Sequence, residues 1–378
     1  MGNGQSLKLA SSCNAIQFSQ YLMQKKQHFK TQLLAWFANN HRPMPWKGER
    51  DPYLIWLSEI ILQQTTVQQG LPYFERFRER YPSVNDLAAA PDDDVMKLWE
   101  GLGYYSRARN LLATARHISF NLKGSFPTTY DAILTLKGVG PYTAAAIASF
   151  GFGEAKAVVD GNVFRVLSRV FGIETPIDST EGKHLFNKLA GEVLDEKRPA
   201  DFNQAIMDFG ATHCTPSRPK CGQNCPMHTI CTAFADGNVD NLPVKSKKLT
   251  KRQRFFNYLI LNDGDSIYIR KRTEKDIWQD LYEFPLVETE ALMEDATTIL
   301  EAFVPSFHTG LMVEKKSAPM RQLLTHQRII AIFWEITVKN SDILRGSDLL
   351  KIDKKDVVKY AFPKVIDNYL SAKALTLF

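Results

Sequence analysis

The chain has 378 residues, 44% hydrophobic and 23% charged, and its 47 Lys and Arg residues against 41 Asp and Glu residues give a net charge of +6. This globular composition excludes a disordered chain, a collagen and a disulfide-rich miniprotein, and the length predicts two or three domains. The mild positive charge permits a polyanionic partner without requiring one. We find no apolar run of membrane-helix length and no signal-peptide pattern, and we therefore expect a cytoplasmic protein with no membrane partner.

The first half of the chain carries a helical pattern. Residues 1–16 show no hydrophobic periodicity, so we predict a disordered leader there. From Phe18 to about Phe234, apolar residues recur three and four positions apart and are interrupted by Pro and Gly. This pattern predicts an all-α domain over residues 17–235.

One acidic residue, Glu59, interrupts the otherwise nearly apolar segment 54–62, which Asp51 and Pro52 can open as a helix. Burial of a carboxyl group disfavours its ionised form, so a buried Glu59 would hold a proton near neutral pH, as a general acid must. The alternative is a glutamate on the solvent-exposed side of the helix. The spacing alone does not separate these two interpretations.

A glycine-rich segment at residues 136–144 lies between two predicted helices and resembles a helix-hairpin-helix turn. Gly138 and Gly140 let the backbone come close to a phosphate, and the N–H groups that open the next helix point at that anion. Such a turn binds the DNA backbone without reading sequence. An ordinary tight turn between helices is the alternative.

A carboxylate, Asp160, stands where an apolar segment meets the next predicted helix. Its simplest role is to cap the N-terminus of that helix. The apolar face of this helix is formed by Val163, Val166, Leu167 and Val170.

Four of the five cysteines are clustered, with the spacing Cys214-x6-Cys221-x3-Cys225-x5-Cys231. Intracellular cysteines are free, metal-bound or catalytic, and the clustering favours a metal. Four thiolates this close suit either an iron–sulfur cluster or a structural zinc ion. Between them, Arg218 and Lys220 could meet a phosphate or be solvated surface charges.

We predict that residues 236–254 form a basic interdomain linker. No acidic residue lies between Asp240 and Asp263, whereas basic residues crowd the same segment at Lys245, Lys247, Lys248, Lys251, Arg252 and Arg254. The segment is either a solvated connector or a contact for an anionic partner.

The pattern changes to strands after the linker. Segments 255–261 and 266–270, joined by a turn at 262–265, predict a β-hairpin, and segment 328–338 is rich in strand-forming residues. Residues 255–378 are therefore predicted to form an α+β domain.

Five ordered segments together resemble the MutY adenine DNA glycosylases, which are helix-hairpin-helix glycosylases. Segments 56–65 and 101–110 resemble two signatures of that family, and the turn at 138–143, the stretch 160–162 and the cysteine group follow in the family's order. The resemblance covers most of residues 30–245.

The resemblance implies a monofunctional DNA glycosylase of base excision repair, which hydrolyses the N-glycosidic bond of adenine mispaired with 8-oxoguanine or guanine in duplex DNA. Glu59 would protonate adenine N7, and Asp160 would stabilise the oxocarbenium-like sugar electrostatically or through a transient covalent bond. Tyr142 and Asn162 match positions that hydrogen-bond around these carboxylates. Endonuclease III enzymes place a Schiff-base lysine where Tyr142 stands, and a phenol cannot form that imine; Lys137 is an outside candidate for weak lyase activity.

An adenine inside a duplex must be flipped out before it can react. Gln64 and Tyr104 match family positions that enter the base stack, and Arg42 and Trp46 match residues that border the adenine pocket. For Trp46 and Tyr105, packing in the core is the alternative.

The resemblance also favours a [4Fe-4S] cluster over zinc at the cysteine group, with all four cysteines as ligands. The family's loop usually has two residues between the second and third cysteines, and here there are three, at residues 222–224. The extra residue leaves the local loop geometry open.

In the C-terminal region, segment 276–285 resembles the Nudix-like domains of this family, which implies an 8-oxoguanine recognition domain over residues 255–378. The carboxylates of the catalytic Nudix pattern are absent from the sequence, so no Mg²⁺ site for pyrophosphate cleavage is expected. Segment 324–327 resembles the Phe-Ser-His loop that checks for 8-oxoguanine, from which Leu324 and Thr325 depart. Thr325 and His326 are the recognition candidates, with ordinary strand-edge residues as the alternative.

Other functions would require different residues. An endonuclease III-like pyrimidine glycosylase and lyase would need a lysine at Tyr142, and a Nudix hydrolase would need the missing carboxylates. A silent damage-binding protein would require Glu59 or Asp160 to be without function. We expect a monomer that acts on double-stranded DNA.

Overall fold

The computed structural model describes residues 5–246, 250–304 and 310–375. Its α-helices are α1 (Gln5–Ala38), α2 (Pro52–Leu62), α3 (Val67–Arg80), α4 (Val84–Ala89), α5 (Asp92–Leu98), α6 (Ser106–Arg116), α7 (Tyr130–Leu134), α8 (Pro141–Phe152), α9 (Gly161–Phe171), α10 (Thr180–Val193), α11 (Pro199–Thr212), α12 (Thr232–Ala235), α13 (Ala296–Phe303) and α14 (Lys364–Leu375). Its strands are β1 (Arg252–Asp263), β2 (Ser266–Lys271), β3 (Tyr282–Glu283), β4 (Leu286–Thr289), β5 (Leu311–Lys316), β6 (Met320–Leu323), β7 (Gln327–Val338) and β8 (Leu350–Asp353).

The chain forms two compact units, and each unit is assembled from two stretches of sequence. Unit 1 comprises Met1–Gln64 and His117–Lys247, and unit 2 comprises Thr65–Arg116 and Lys248–Phe378. The domain boundaries inferred from the sequence, 17–235, 236–254 and 255–378, remain predictions.

Unit 1 is helical, and its described residues contain no strand, as the periodicity predicts. Helix α1 packs against α11, and α11 packs against α9. The four apolar positions predicted for one face of α9 are all buried in this core, together with Phe29, Phe186 and Phe202. Full burial of each such side chain contributes about 1.5–3 kcal/mol to folding before entropy is counted.

The N-terminal segment predicted as a leader lies partly outside the described residues, at 1–4, and its remainder forms the first turns of α1. Within the described ranges, none of the helices combines the length and the apolar character needed to cross a membrane.

Unit 2 combines helices α3 to α6 with a mixed sheet of order β3-β2-β1-β7-β5. Strands β4, β6 and β8 pair with β1, β7 and β2, respectively. The central strands β1 and β7 run parallel, and β1 and β2 form the predicted hairpin, with Asp263 opposite Ser266. The α+β prediction for the C-terminal region is confirmed.

The predicted basic linker is only partly separate from the folded units. Its residues Lys247 and Lys248 lie outside the described residues. Strand β1 begins at Arg252, and the Arg254 guanidinium is buried and bonded to the carboxylates of Glu288 and Asp276. Arg254 therefore belongs to the structure of the sheet.

Candidate active site

Glu59 lies on α2, which opens as the sequence predicts. The Asp51 carboxylate accepts a hydrogen bond from Tyr53 N at 2.9 Å, and Pro52 occupies the first turn. Burial raises the pKa of Glu59 to about 7, and the charge of Asp160 acts in the same direction, while a hydrogen bond from Tyr142 opposes both. A substantial fraction of Glu59 is therefore protonated at neutral pH, which is the property that a general acid requires.

Tyr142 stands in the first turn of α8. Its hydroxyl bonds to Glu59 and lies 3.5 Å from Met207 Sδ. Burial and the charges of Glu59 and Asp160 raise the pKa of Tyr142 well above its ordinary value. Tyr142 is therefore a neutral phenol that can donate a hydrogen bond to a carboxylate.

Asp160 caps α9, as predicted. One carboxylate oxygen accepts from Asn162 N at 2.9 Å and from Val163 N at 2.8 Å, and the other accepts from Asn162 Nδ2 at 2.7 Å. Burial raises the pKa of Asp160, whereas these hydrogen bonds and the charge of Arg165 act in the opposite direction. The cap fixes the orientation of the carboxylate at the positive end of a helix, so capping is compatible with a second, chemical role.

Asn162 is itself held in one orientation. Its Oδ1 accepts from Arg165 Nη2 at 2.8 Å, and the same guanidinium donates to Gly210 O and Cys214 O, each at 2.7 Å. A Cβ atom at Gly210 would lie 2.6 Å from Asn162 Cβ, so α11 can approach α9 only because residue 210 is glycine. Sequence analysis missed Arg165 and Gly210, although an arginine within the apolar pattern of α9 was a usable signal.

The glycine-rich turn joins α7 to α8. Gly138 has φ +78°, a conformation that disfavours side chains, and Val139 N donates to Leu136 O at 3.1 Å. Gly140 occupies the N-cap of α8 without any side-chain cap, and a Cβ added there would meet nothing within 4 Å. Pro141 has no N–H, so the first amide groups of α8 are those of Tyr142 and Thr143, and the open space beside Gly140 would let a phosphate approach this end of the helix.

The two predicted stack-entering residues share an uncommon backbone conformation. Gln64 and Tyr104 have φ values of +56° and +49°. Both are exposed, Tyr104 by 47%, and the Arg107 guanidinium lies 5.5 Å from its ring centre. Such strain clusters at functional sites, and neither residue is a glycine that would relieve it. Tyr105, in contrast, is buried and accepts a hydrogen bond from Gly101 N, which confirms core packing for that residue.

A buried ion pair adjoins the predicted pocket-bordering segment. Lys47 Nζ lies 2.5 Å from Asp208 Oδ2, and the two side chains are only 14% and 3% exposed. Lys47 directly follows the half-buried Trp46, and Asp208 follows Met207, whose sulfur contacts Tyr142. Sequence analysis missed this pair, although Asp208 interrupts an apolar run in the same way as Glu59. The pair offers one donor and one acceptor near the site.

In unit 2, Thr325 and His326 are the two central residues of the β6–β7 hairpin. Leu324 N donates to Gln327 O at 2.8 Å, which closes the turn, and His326 O accepts from Arg252 N at 2.9 Å. The Thr325 hydroxyl forms a hydrogen bond of 2.5 Å with the Tyr104 hydroxyl. The structure therefore brings a predicted recognition residue into contact with a predicted stack-entering residue.

The four predicted metal ligands line one pocket. None of the four forms a disulfide bond, and Arg169 Nη1 lies 3.5 Å from Cys214 Sγ. Gly222, at φ +105°, and a bond from Cys225 N to Gly222 O at 2.9 Å form a tight turn at the extra residue. Across the described ranges, no three His, Cys, Asp or Glu side chains lie close enough to hold a metal ion. The donors nevertheless fit a thiolate-bound group, since four sulfurs and a flanking cation share one pocket.

Comparisons with known proteins identify the families that the chain resembles. A model of the HhH-GPD superfamily of base excision DNA repair proteins matches residues 57–191, and a NUDIX domain model matches residues 257–372. The chain is 35% identical over 263 residues to the adenine DNA glycosylase of Buchnera aphidicola subsp. Schizaphis graminum, covering 69% of this chain and 76% of that protein. It is 44% identical over 214 residues to the adenine DNA glycosylase of Homo sapiens, covering 54% of this chain and 39% of that protein.

Solved structures give the same fold for the helical region. A thermostable thymine-DNA glycosylase is 32% identical with a TM-score of 0.53, covering 56% of this chain and 98% of that one. An endonuclease III–DNA complex has a TM-score of 0.50 at 22% identity, covering 57% of this chain and 97% of that one, and it supports the fold alone.

The helical fold, the hairpin and the two family matches define a helix-hairpin-helix DNA glycosylase of base excision repair, followed by a Nudix-like region. Such an enzyme binds DNA. Within that class, the chain belongs to the adenine DNA glycosylase family.

Proposed function

We propose that the protein excises adenine mispaired with 8-oxoguanine or guanine by hydrolysis of the N-glycosidic bond. The observation that carries this proposal is the buried carboxyl of Glu59, whose pKa is about 7, beside Tyr142 and Asp160. An acid of this strength can protonate a purine nitrogen at neutral pH, and protonation makes the base a neutral leaving group. Adenine as the substrate also follows from the family.

Asp160 is proposed to stabilise the positive charge that develops on the sugar, either electrostatically or through a transient covalent bond. Its three hydrogen bonds hold the carboxylate before the substrate binds, so little reorganisation is needed during the reaction. Water then attacks the sugar. Tyr142 cannot form an imine, so we propose a monofunctional enzyme that leaves an intact abasic strand.

The flipped adenine leaves a gap in the duplex, and Gln64 and Tyr104 are proposed to enter the stack there. Their exposed side chains and strained backbones support this role. Arg42 and Trp46 are proposed to border the base pocket, with Lys47 and Asp208 presenting a donor and an acceptor to the base edge. Gly138 and Gly140 would let the hairpin backbone bind a phosphate.

Thr325 and His326 are proposed to read the base opposite adenine. They project from a two-residue turn, and each carries a polar side chain suited to hydrogen bonding with an oxidised guanine. The Tyr104 hydroxyl beside Thr325 supports this placement, because the opposite base faces the gap that a stack-entering residue fills.

The cysteine pocket is proposed to hold a [4Fe-4S] cluster bound by Cys214, Cys221, Cys225 and Cys231. Such a cluster would serve here as a structural crosslink of the loop or as an electron carrier. Purified protein is expected to contain about four iron atoms per chain and little zinc, which metal analysis would measure. Stoichiometric zinc without iron would contradict the assignment.

The deciding experiment is single-turnover cleavage of duplexes that hold adenine opposite 8-oxoguanine, guanine or thymine, analysed with and without alkali. We expect cleavage of the adenine strand only after alkali, fastest opposite 8-oxoguanine. A further duplex that holds an oxidised pyrimidine tests the alternative, and its cleavage without alkali would instead support an endonuclease III-like lyase. Equal rates opposite all three bases would remove the recognition role of the Nudix-like region.

A further inference from the structure

Polar side chains of α5, α6 and the residues after α5 bond to the Nudix-like part of the same unit, residues 257–372. Lys97 Nζ donates to Tyr360 O at 2.9 Å, and three further side chains make such bonds. Asp93 accepts hydrogen bonds from Lys271 Nζ at 2.6 Å and from the Tyr282 hydroxyl at 2.9 Å. Glu100, which follows α5, accepts from Phe362 N at 2.8 Å. The third side chain is Arg109 on α6. None of these contacts has a role in the proposed chemistry.

Arg109 differs from the other side chains in the segment that it binds. Its Nη1 donates to Gln279 O at 2.7 Å, and its Nε lies 3.5 Å from Asp280 Oδ2. The Arg109 and Asp280 side chains are 28% and 34% exposed, so water screens this pair only in part.

The segment that Arg109 binds is strained. Trp278 and Asp280, the two neighbours of Gln279, have φ values of +62° and +67°. Two non-glycine residues in this conformation persist only where surrounding bonds hold them. Asp280 N donates to Arg272 O at 2.7 Å, Leu281 N donates to Trp278 O at 3.1 Å, and the Trp278 side chain is buried. Arg109 adds a bond to the carbonyl between the two strained residues, so helix α6 is attached to a turn with a defined shape.

The same helix begins two residues after Tyr104, at Ser106. Arg107 N donates to Tyr104 O at 2.9 Å, which continues the first turn of α6 back to Tyr104. The side chain of Tyr104 is bonded as well, because its hydroxyl forms a hydrogen bond with the Thr325 hydroxyl. Tyr104 is therefore held to the Nudix-like part at two points, by Thr325 directly and by Arg109 through α6.

We propose that Arg109 is a positioning residue that fixes Tyr104 against the Thr325–His326 turn, so that reading of the opposite base and entry of Tyr104 into the stack occur together. This inference rests on the proposed function. A tyrosine on a loosely held helix would enter the stack whichever base lies opposite adenine. A tyrosine held in register with the turn enters the base stack readily only when the turn accepts the opposite base. The enzyme would therefore discriminate between 8-oxoguanine and guanine opposite adenine.

The test compares single-turnover adenine release opposite 8-oxoguanine and opposite guanine, and the readout is the ratio of the two rates. For Arg109→Ala we expect the ratio to fall about three- to tenfold, the effect of one ordinary hydrogen bond, because the Arg109 side chain is partly exposed to water. Arg109→Lys is expected to retain most of the ratio, since an ammonium group can still donate to Gln279 O. Asp280→Asn is expected to lower it less, because asparagine tolerates positive φ and the carbonyl bond remains.

Arg116→Ala is the matched control. Arg116 ends the same helix and makes equally good bonds, to Ala88 O, Ala90 O and Asp92, none of which belongs to the Nudix-like part. A loss caused by general weakening of α6 would appear in both alanine variants. The inference is supported if the ratio falls for Arg109→Ala and stays at the wild-type value for Arg116→Ala.

Two results would overturn the inference: a wild-type ratio in folded Arg109→Ala, or equal losses in Arg109→Ala and Arg116→Ala. If Arg109→Ala fails to fold, Asp280→Asn decides, and a wild-type ratio in that variant overturns the inference. A wild-type protein that shows no preference between the two opposite bases would instead overturn the proposed recognition function, and the inference with it.

Discussion

Two glutamates, the half-buried Glu59 in unit 1 and the fully buried Glu283 in unit 2, can be compared, and burial raises the pKa of each. Their partners differ. The Glu283 carboxylate accepts from Arg270 Nε at 3.0 Å and from Arg272 Nη1 at 2.6 Å. The side chains that act on the pKa of Glu59 are a phenol, Tyr142, and a second carboxylate, Asp160.

The difference separates a carboxylate in a structural ion pair, Glu283, from the carboxylate that we propose as the catalytic acid, Glu59. Two guanidinium groups oppose the effect of burial on Glu283 and leave an ion pair that holds strand β3 in the sheet. The neighbours of Glu59 leave its pKa near 7. Burial alone therefore does not identify a catalytic acid, whereas burial beside an anionic neighbour supports the role proposed for Glu59.

The largest effect is expected for Glu59→Gln. Glutamine keeps the shape of the side chain but cannot deliver a proton, so adenine release should fall by about 10²–10⁴-fold or more. Single-turnover kinetics would measure the loss, and a gel-shift assay should show that binding to the mispair is retained. Near-normal turnover would show that Glu59 is not the acid, and the distinction between Glu59 and the structural Glu283 would then fail.

Asp160→Asn separates capping from chemistry. Asparagine caps helices about as well as aspartate, so stability should be nearly unchanged, while loss of the negative charge should slow adenine release about 10²–10³-fold. Thermal unfolding and single-turnover kinetics measure the two effects. Asp295→Asn is the control, because Asp295 caps α13 in the same way. Equal activity of both variants would reduce Asp160 to a cap.

For Glu283→Gln, unlike Asp160→Asn, we expect the main effect on stability. Removal of one partner leaves buried guanidinium charge uncompensated, which costs about 3–5 kcal/mol of stability. Urea unfolding would measure it. Arg345→Ala, which breaks the exposed pair with Asp342, should change the free energy of unfolding by less than about 1 kcal/mol. A Glu283→Gln protein as stable as the wild type would show that its ion pair is dispensable.

The smallest effect concerns pH. The acid form of Glu59 prevails below its pKa of about 7, so single-turnover rates should be level at lower pH and fall about tenfold per unit above it. Rates measured on an 8-oxoguanine duplex across this range would test the value. The residual activity of Glu59→Gln should lack this step, and a flat wild-type profile would contradict the assigned acid.

Local sequence patterns predicted the parts of the site that local structure determines. The interrupted apolar run at Glu59, the capping position of Asp160 and the glycine turn at Gly138 each involve neighbours within a few residues. The change from helical to strand periodicity along the chain likewise located the sheet.

Those local patterns did not predict contacts between residues that are far apart in the sequence. Lys47 meets Asp208 across 161 positions, and Gly210 is required only because α11 crosses the start of α9. The association of residues 65–116 with the sheet in unit 2 depends on side chains such as Arg109, whose partners are 170 or more positions away. Periodicity reports which face of an element is buried and does not report which element covers it.

The uncapped start of α8 has a thermodynamic consequence. With Gly140 at the N-cap and no N–H on Pro141, the first amides of the helix have no side-chain cap, and the phosphate that we propose to bind there would replace solvent. An amide is neutral, so its share of the binding free energy involves water release more than counterion release and should survive added salt better than contacts from lysine or arginine. Osmotic pressure, set with a neutral solute, should therefore tune DNA affinity through this turn in a way that ionic strength does not.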